Sequence, residues 1–148
     1  MTKINFSDEY FMQQALNEAK NALHKDEIPV GAVVVCNKQI ISRAHNLTET
    51  LNDVTAHAEM LAITAAAEFL GGKYLNECTL YVTLEPCTMC AGALSWSQIG
   101  RIVFGASDTK RGFSRHTPPV LHPKTNVISG ILEKDCSFLI TNFFKNKR

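Results

Sequence analysis

The chain contains 148 residues, of which 45% are hydrophobic and 20% are charged. This length is typical of one domain and this composition can bury a core, which excludes a disordered chain and predicts a single domain over residues 1–148. The net charge of +1 at pH 7 hides an asymmetry, because residues 1–85 carry −5 (6 basic, 11 acidic) and residues 86–148 carry +6 (9 basic, 3 acidic). That partition fits a polyanion-binding face, and equally a chance clustering of surface charges.

No segment has the apolar character of a signal peptide or the ~18 to 20 apolar residues of a membrane span. We therefore expect a cytoplasmic protein without a membrane partner. The cysteines are odd in number and the chain is long enough to fold without crosslinks, which favours a reducing compartment and metal-binding or catalytic thiols over a disulfide framework. The five are Cys36, Cys78, Cys87, Cys90 and Cys136.

The first half of the chain predicts a helix, a hairpin and a second helix. Apolar residues recur at helical spacing over residues 7–24. Two strand-like runs, over 30–36 and 39–44, flank a turn signal and predict a hairpin. Thr55 is the predicted cap of a helix that ends at Gly71.

The second half continues the alternation of strands and helices. A strand over 79–84 leads to Pro86, which suits the first turn of a helix that ends near residue 97, and another strand follows over 101–106. The irregular stretch over 107–124 is too long to be a mere connection and is a candidate substrate loop. A short strand and a helix close the chain, at 127–129 and 133–145. This pattern predicts a layered α/β domain with a mixed sheet.

Two short motifs carry the strongest chemical signal. His57-Ala58-Glu59 lies near the start of the second helix, and Pro86-Cys87-Thr88-Met89-Cys90 lies at the start of the third. Cysteines three residues apart are neighbours in a first helical turn, where both thiols can reach one ion and the helix dipole lowers the pKa of a thiol. One histidine and two thiolates leave the fourth position of tetrahedral zinc open, as in catalytic zinc sites.

Glu59 is not needed to complete the metal site. At a helix entrance its side chain and that of His57 can both project towards the ion. Zinc lowers the pKa of a water that it binds, and a neighbouring carboxylate can take the proton and return it to a leaving group. These residues therefore predict a hydrolytic reaction.

Two simpler interpretations of the cysteine pair are a structural zinc half-site and a redox pair. A structural site normally has four protein ligands, and the remaining histidines form no second ligand pair at the usual spacings. A redox pair leaves His57 and Glu59 without a role. The combined motif therefore favours catalytic zinc.

His-x-Glu followed by Pro-Cys-x-x-Cys is the signature of zinc deaminases. The sequence resembles the cytidine and deoxycytidylate deaminase superfamily and, within it, bacterial tRNA-specific adenosine deaminases. The resemblance covers most of the chain and includes Ile28-Pro-Val-Gly-Ala-Val-Val-Val, Thr55-Ala-His-Ala-Glu, Thr79-Leu-Tyr-Val-Thr-Leu-Glu-Pro-Cys-Thr-Met-Cys-Ala-Gly-Ala and Arg101-Ile-Val-Phe-Gly. It implies a three-layer α-β-α cytidine deaminase-like fold with a five-stranded mixed sheet, in a single zinc-dependent deaminase domain.

The resemblance also implies roles for individual residues. His57, Cys87 and Cys90 would bind one Zn²⁺ per subunit. Glu59 would move the proton from water to the purine ring nitrogen and then to ammonia, so that adenosine becomes inosine. The remaining site residues would bind the substrate, two of them (Ala58 and Glu85) through the main chain: Pro29, Val30, Asn46, Ala58, Glu85, Asp108, Lys110 and Phe143.

The implied substrate is the wobble adenosine of a tRNA anticodon stem-loop, bound by a homodimer. The basic tail would lie at the mouth of this site, with Lys145, Lys147 and Arg148. Simpler roles stay open for three residues or segments: a turn residue for Asn46, a core residue for Phe143 and an ordinary polar turn for 108–110. Trp96 is expected in the core or at an interface.

The sequence departs from the family pattern after Gly112, where small residues are common and this chain has Phe113-Ser-Arg-His-Thr-Pro-Pro. Contacts made by residues 113–124 therefore do not follow from the resemblance. Deamination of a free nucleobase or nucleoside, of the guanine or cytosine type, keeps every zinc-site residue and is the second hypothesis. A catalytically silent zinc-stabilised binding module is the third, and it leaves Glu59 without a role. The extended match and the basic second half favour tRNA.

Overall fold

The structure is a computed structural model and describes residues 6–147. Each predicted strand and helix is present, with ends that differ from the prediction by at most two residues. In chain order they are α1 (Asp8–His24), β1 (Gly31–Cys36), β2 (Gln39–His45), α2 (Ala58–Leu70), β3 (Cys78–Leu84), α3 (Thr88–Ser97), β4 (Arg101–Ala106), β5 (Asn126–Ser129) and α4 (Glu133–Asn146). A single turn of 3₁₀ helix, Phe113–Arg115, lies in the irregular stretch between β4 and β5.

The strands form one mixed sheet in the order β2-β1-β3-β4-β5. β1 is antiparallel to both β2 and β3, whereas β4 is parallel to β3 and to β5. Asn37 and Lys38 both have positive φ, 54° and 62°, as a two-residue type I′ hairpin turn requires. The turn therefore allows β1 and β2 to pair directly.

Helices cover both faces of the sheet. α2 and α3 pack on one face and α1 and α4 pack on the other. In β1, Ala32 and Val34 face the first pair of helices and Val33 and Val35 face the second pair, as the alternation of side chains along a strand requires. The three-layer α-β-α arrangement with a five-stranded mixed sheet is confirmed.

The start of α2 differs from the prediction. Its N-cap is His57, with an extended backbone and no side-chain cap hydrogen bond. The predicted cap at Thr55 is wrong because this residue donates its N–H and its hydroxyl to Oδ1 of Asp53, at 2.8 and 2.7 Å. The helix ends as predicted at Gly71, where φ is 68°. His57 thus lies at the boundary of the helix, where its side chain can point past the helix end.

The length and apolar composition of the helices can be compared with what a membrane-spanning helix requires. The longest helix, α1, has 17 residues and exposes polar side chains such as Gln13, Asn17 and Lys20. Among the helices of residues 6–147, none combines the length and the apolar composition that crossing a bilayer requires.

Candidate active site and metal centre

The segments that carry the predicted site residues lie at one end of the sheet, where β1 begins and β2, β3 and β4 end. The strand register brings the start of β1 next to the ends of β2 and β3, and the end of β3 next to the end of β4. The carboxyl ends of parallel strands are the usual place for a ligand in an α/β fold. Immediately beyond these strand ends lie five predicted residues: Pro29, Val30, Asn46, Glu85 and Asp108.

Three metal donors meet where α2 and α3 begin. His57 and Cys87 are the N-caps of these helices, and Cys90 lies in the first turn of α3. Nδ1 of His57 is 3.7 Å from Sγ of Cys87 and 3.5 Å from Sγ of Cys90, and the three donor atoms all lie within 4.8 Å of one another. Tetrahedral zinc, with Zn–S of about 2.3 Å and Zn–N of about 2.0 Å, needs an S···N separation of about 3.5 Å. The donor set and its spacing therefore fit zinc.

The electrostatics of the two thiols also favour a bound cation. A hydrogen bond from Cys90 lowers the pKa of Cys87 to about 4, and His57 contributes to the same shift. This interaction, together with burial, raises the pKa of Cys90. The pair therefore releases its first proton easily and its second only when positive charge is present, which a divalent cation supplies. The uncapped N–H groups at the start of α3 add positive potential.

Glu59 lies in the first turn of α2 and is only 4% exposed. Burial raises the pKa of its carboxyl group to about 7, and the negative charge of Cys87 adds to this increase. The carboxyl group also shares a hydrogen bond with Cys90, which places it beside the metal donors. A group with this pKa changes between its acid and base forms near neutral pH, as a proton-transfer residue must.

Four predicted substrate-binding residues lie together in buried positions. Val30 and Ala58 belong to the same apolar core, and Pro29 is also buried. Asn46 is 5% exposed, its N–H donates to the carbonyl of Val30 at 3.0 Å, and its side-chain amide donates to the carbonyl of Ile28 at 3.4 Å. These bonds join the end of β2 to the segment before β1, so Asn46 has a structural role in addition to any contact with substrate.

The side chain of Glu85 holds the loop that follows β4. This carboxylate is 3% exposed and accepts hydrogen bonds from the N–H of Asp108 at 2.9 Å and from the N–H and hydroxyl of Ser114 at 3.0 and 2.6 Å. Gly112 lies so close that an added Cβ would be 2.3 Å from the carboxyl carbon of Glu85. The sequence predicted a role for the main chain of Glu85 only, and it missed the side chain because these partners are 23 to 29 residues away. An acidic residue directly after an apolar strand was the available signal, because a buried carboxylate needs hydrogen-bond partners.

Asp108 and Lys110 lie on this loop, where Asp108 is partly buried and Lys110 is exposed. Oδ1 of Asp108 accepts the main-chain N–H groups of Lys110 and Arg111, both at 3.1 Å. The carboxylate therefore caps a tight turn, which agrees with the simpler interpretation of this segment as a polar turn. The side chain of Lys110 projects from that turn.

Phe143 lies on α4, on the opposite face of the sheet from α2 and α3, and is 9% exposed. Nζ of Lys147 lies 5.5 Å from the centroid of its ring and 2.7 Å from Oδ1 of Asp26. Because Asp26 precedes Pro29 by three residues, the end of α4 reaches the segment that leads into the site. Burial supports a packing role for Phe143, and Arg148 of the predicted basic tail lies outside the described residues.

The family to which this arrangement belongs is identified by comparison with known proteins. Residues 6–106 match the model of the cytidine and deoxycytidylate deaminase zinc-binding region, and the match includes the three metal donors and Glu59. The chain belongs to the cytidine and deoxycytidylate deaminase family. The predicted superfamily and zinc cofactor are thereby confirmed, and the chain is a zinc-dependent hydrolytic deaminase.

Relatives of this deaminase match it over nearly their whole length. The tRNA-specific adenosine deaminase of Bacillus subtilis (strain 168) is 47% identical over 146 residues, which cover 95% of this chain and 91% of the relative. The tRNA-specific adenosine deaminase of Aquifex aeolicus (strain VF5) is 48% identical over 145 residues, which cover 95% of each chain. A solved structure from biochemical and structural studies of A-to-I editing by tRNA:A34 deaminases at the wobble position has a TM-score of 0.83 and 44% identity, and covers 88% of this chain and 98% of that chain.

Removing one thiol of the metal centre is expected to remove the metal. In Cys87→Ser the zinc content measured by inductively coupled plasma mass spectrometry should fall from about one ion per chain to near zero, because two protein donors bind zinc much more weakly than three. Cys36→Ser is the matched control, since this half-buried cysteine lies at the far end of β1, and it should keep its zinc. Full zinc content in Cys87→Ser would show that the three donors do not form the metal centre.

Proposed function

We propose that this deaminase hydrolyses adenosine to inosine at the wobble position of tRNA anticodons, with residues 1–148 forming a single deaminase domain. The observation that carries the proposal is the buried carboxyl group of Glu59 beside three zinc-type donors, in a chain 41–48% identical to tRNA-specific adenosine deaminases. The reaction consumes one water and releases ammonia. Its product carries oxygen at C6 of the purine.

His57, Cys87 and Cys90 would hold the zinc, through Nδ1 and two thiolates. Zinc in such a site activates water for attack on the base. Glu59 takes one proton of the water and passes it to the adjacent purine ring nitrogen. It then takes the second proton, from the hydroxyl group added at C6, and gives it to the amino group, which leaves as ammonia while the C6 carbonyl forms. A pKa of about 7 suits both directions of transfer, because the group accepts and returns a proton in each cycle.

The segments at the end of the sheet described above bind the substrate in this proposal. Pro29, Val30 and the main chain at Ala58 and Glu85 form the walls of a pocket for the base. Asn46 hydrogen-bonds the base or its sugar with the polar groups of its amide that remain free. Burial of these groups supports the assignment, because a pocket that reads one base has to exclude water.

The residues outside the pocket are assigned to the rest of the RNA. Asp108 and Lys110 approach the flanking nucleotides. Lys145 and Lys147 lie near the mouth of the site, and the buried ring of Phe143, which Lys147 contacts, packs the end of α4 that carries them. A splayed anticodon loop offers its bases without the cost of opening a duplex, which favours a tRNA stem-loop over double-stranded RNA. With this substrate, we also propose that the protein acts in the cytoplasm.

We further propose that the enzyme is a homodimer. Trp96 is 85% exposed, which excludes the predicted core position, and it lines a cavity of about 390 Å³ between α2 and α3. Tyr74 lines the same cavity and is 50% exposed, and Phe69 near the end of α2 is 59% exposed, so aromatic side chains are exposed where both helices end. A second copy of the chain would cover this surface, since apolar surfaces of this kind mark interfaces.

Introducing charge into this surface is expected to separate the subunits. Trp96→Glu should sediment as a monomer at concentrations where the wild-type protein sediments as a dimer, because the new carboxylate would be buried at the interface. Phe138→Glu changes an aromatic residue that is 66% exposed on the opposite face of the sheet, and should leave the dimer intact. A monomeric wild-type protein would contradict the dimer proposal.

Substrate choice is the direct test of the proposed function. The purified protein is incubated with a panel of anticodon stem-loops that carry adenosine at the wobble position, and with guanine, cytosine, adenosine and cytidine. We expect inosine in at least one stem-loop and no turnover of the free compounds, as measured by mass spectrometry. Turnover of guanine or cytosine without inosine in RNA would support the free-base alternative and overturn the tRNA assignment.

The proton-transfer role of Glu59 is tested by Glu59→Ala. The variant should keep its zinc and its RNA affinity but lose at least about a hundredfold in kcat, the typical contribution of a general acid-base residue. Glu68→Ala removes an exposed carboxylate from the same helix and should keep wild-type kcat. Near wild-type turnover in Glu59→Ala would remove this residue from the mechanism.

A further inference from the structure

The 3₁₀ turn Phe113–Arg115 and its flanking residues form a loop that is fixed against the start of α3. The N–H of Phe113 donates to the carbonyl of Pro86 at 3.0 Å, and Gly112 pairs with Cys87 in an isolated antiparallel bridge. Ser114 donates two hydrogen bonds to Glu85, as described above. All of these contacts fall on residues 85–87, so the loop lies directly beside the metal centre.

Two side chains strengthen this attachment. Phe113 is 9% exposed and packs edge to face on Phe104, with ring centroids 6.0 Å apart. Further along the loop, Nε2 of His116 lies 2.7 Å from Oγ1 of Thr88 in the first turn of α3. A loop held at several points is preorganised, so a ligand that binds to it has little ordering cost to overcome.

The side chains that this loop exposes are cationic. Lys110, Arg111 and Arg115 are exposed, and over residues 6–147 none of the three lies within ion-pair distance of a carboxylate. Asp108, the acid of the loop, and Glu85, which holds the loop, are both already engaged, because Asp108 accepts main-chain N–H groups and Glu85 is buried with its own partners. The loop therefore carries positive charge that the protein itself does not neutralise.

Arg115 is held in a particular position among these cations. Its guanidinium donates one hydrogen bond to the main-chain carbonyl of Lys110, which folds the side chain back across the turn. The other N–H groups of the guanidinium face no acceptor within the described part of the chain. A guanidinium with free N–H groups suits two oxygens of one phosphate, because its planar fork matches their spacing.

We propose that Arg115, with Lys110 and Arg111 beside it, binds a backbone phosphate of the RNA next to the target nucleotide. The inference rests on the proposed function, and it extends the RNA contact from Asp108 and Lys110 into the stretch 113–124. The target base has to enter the buried pocket, whereas the phosphates that flank it stay outside, against the rim. The fixed loop is part of that rim because it is attached to the residues around Cys87.

Arg115→Gln removes the positive charge of the side chain but can keep its local hydrogen bond. A glutamine amide can still donate to the carbonyl of Lys110, but it carries no charge for a phosphate. Arg43→Gln is the matched control, since Arg43 is also exposed and hydrogen-bonded to an uncharged group, Gln14, on the α1 face of the sheet. The measurement is binding of a stem-loop with inosine at the wobble position, which does not react further, over a series of salt concentrations.

We expect Arg115→Gln to bind this RNA about three- to tenfold more weakly at low salt, as loss of one charge-assisted contact implies. The slope of log K against log salt should become shallower by about 0.7, because one counterion fewer is released from a single strand. Zinc content and Tm should equal those of the wild-type protein, and Arg43→Gln should match the wild type in affinity and slope.

Unchanged affinity and slope in Arg115→Gln would overturn this inference, and so would weaker binding with an unchanged slope, since that result indicates a purely structural role. The deamination assay judges the proposed function separately. Inosine formation by a wild-type protein whose binding does not depend on Arg115 contradicts the phosphate contact alone. RNA binding that depends on Arg115 without any inosine formation supports the phosphate contact and contradicts the proposed function.

Discussion

The metal centre requires two helix starts from different parts of the chain to meet at one point. His57 and Cys87 are 30 residues apart, yet their donor atoms lie 3.7 Å apart. β3 is the central strand of the sheet, and Cys87 lies shortly after its end, at the start of α3. α2 packs on the same face of the sheet as α3, through small side chains that include Ala62 and Ala66. The hydroxyl of Ser42 fixes α2 further by donating to the carbonyl of Ala62 at 2.8 Å. Because the donors assemble only in the folded chain, zinc binding and folding stabilise each other.

Three buried glutamates near this end of the sheet illustrate how environment assigns roles to identical side chains. Glu85 accepts hydrogen bonds from the loop after β4, and Glu27 accepts bonds from the main chain of Glu49 and Thr50 at 3.0 and 2.6 Å. Both carboxylates accept hydrogen bonds from main-chain N–H groups and from a hydroxyl, and both anchor loops around the site. Glu59 is equally buried, but burial dominates its environment and raises its pKa to about 7. Two of these glutamates therefore hold structure, and the third is suited to move protons.

In the folded chain over residues 6–147, some cations of the basic half form ion pairs and others do not. Two cations of the basic half are engaged by acids of the other half, since Arg101 binds Asp8 at 2.7 Å and Lys147 binds Asp26 at 2.7 Å. The cations of the loop after β4 have no such partners among the described residues. The positive charge next to the metal centre is thus concentrated in one fixed loop, where it can attract an anionic substrate.

The sequence by itself determined the order of strands and helices, the family and the metal-binding motif, because these depend on local periodicity and on residue types at short spacing. It did not determine the cap of α2, since Thr55 had a competing acceptor in Asp53. Only the tertiary structure decided that the side chain of Glu85 anchors a loop and that the loop carrying Arg115 lies beside the metal centre, because residues 85–87 and this loop are brought together by the pairing of β3 with β4 rather than by sequence spacing. A contact between distant segments depends on which strands pair and in which register. The local sequence of an irregular loop does not contain that information.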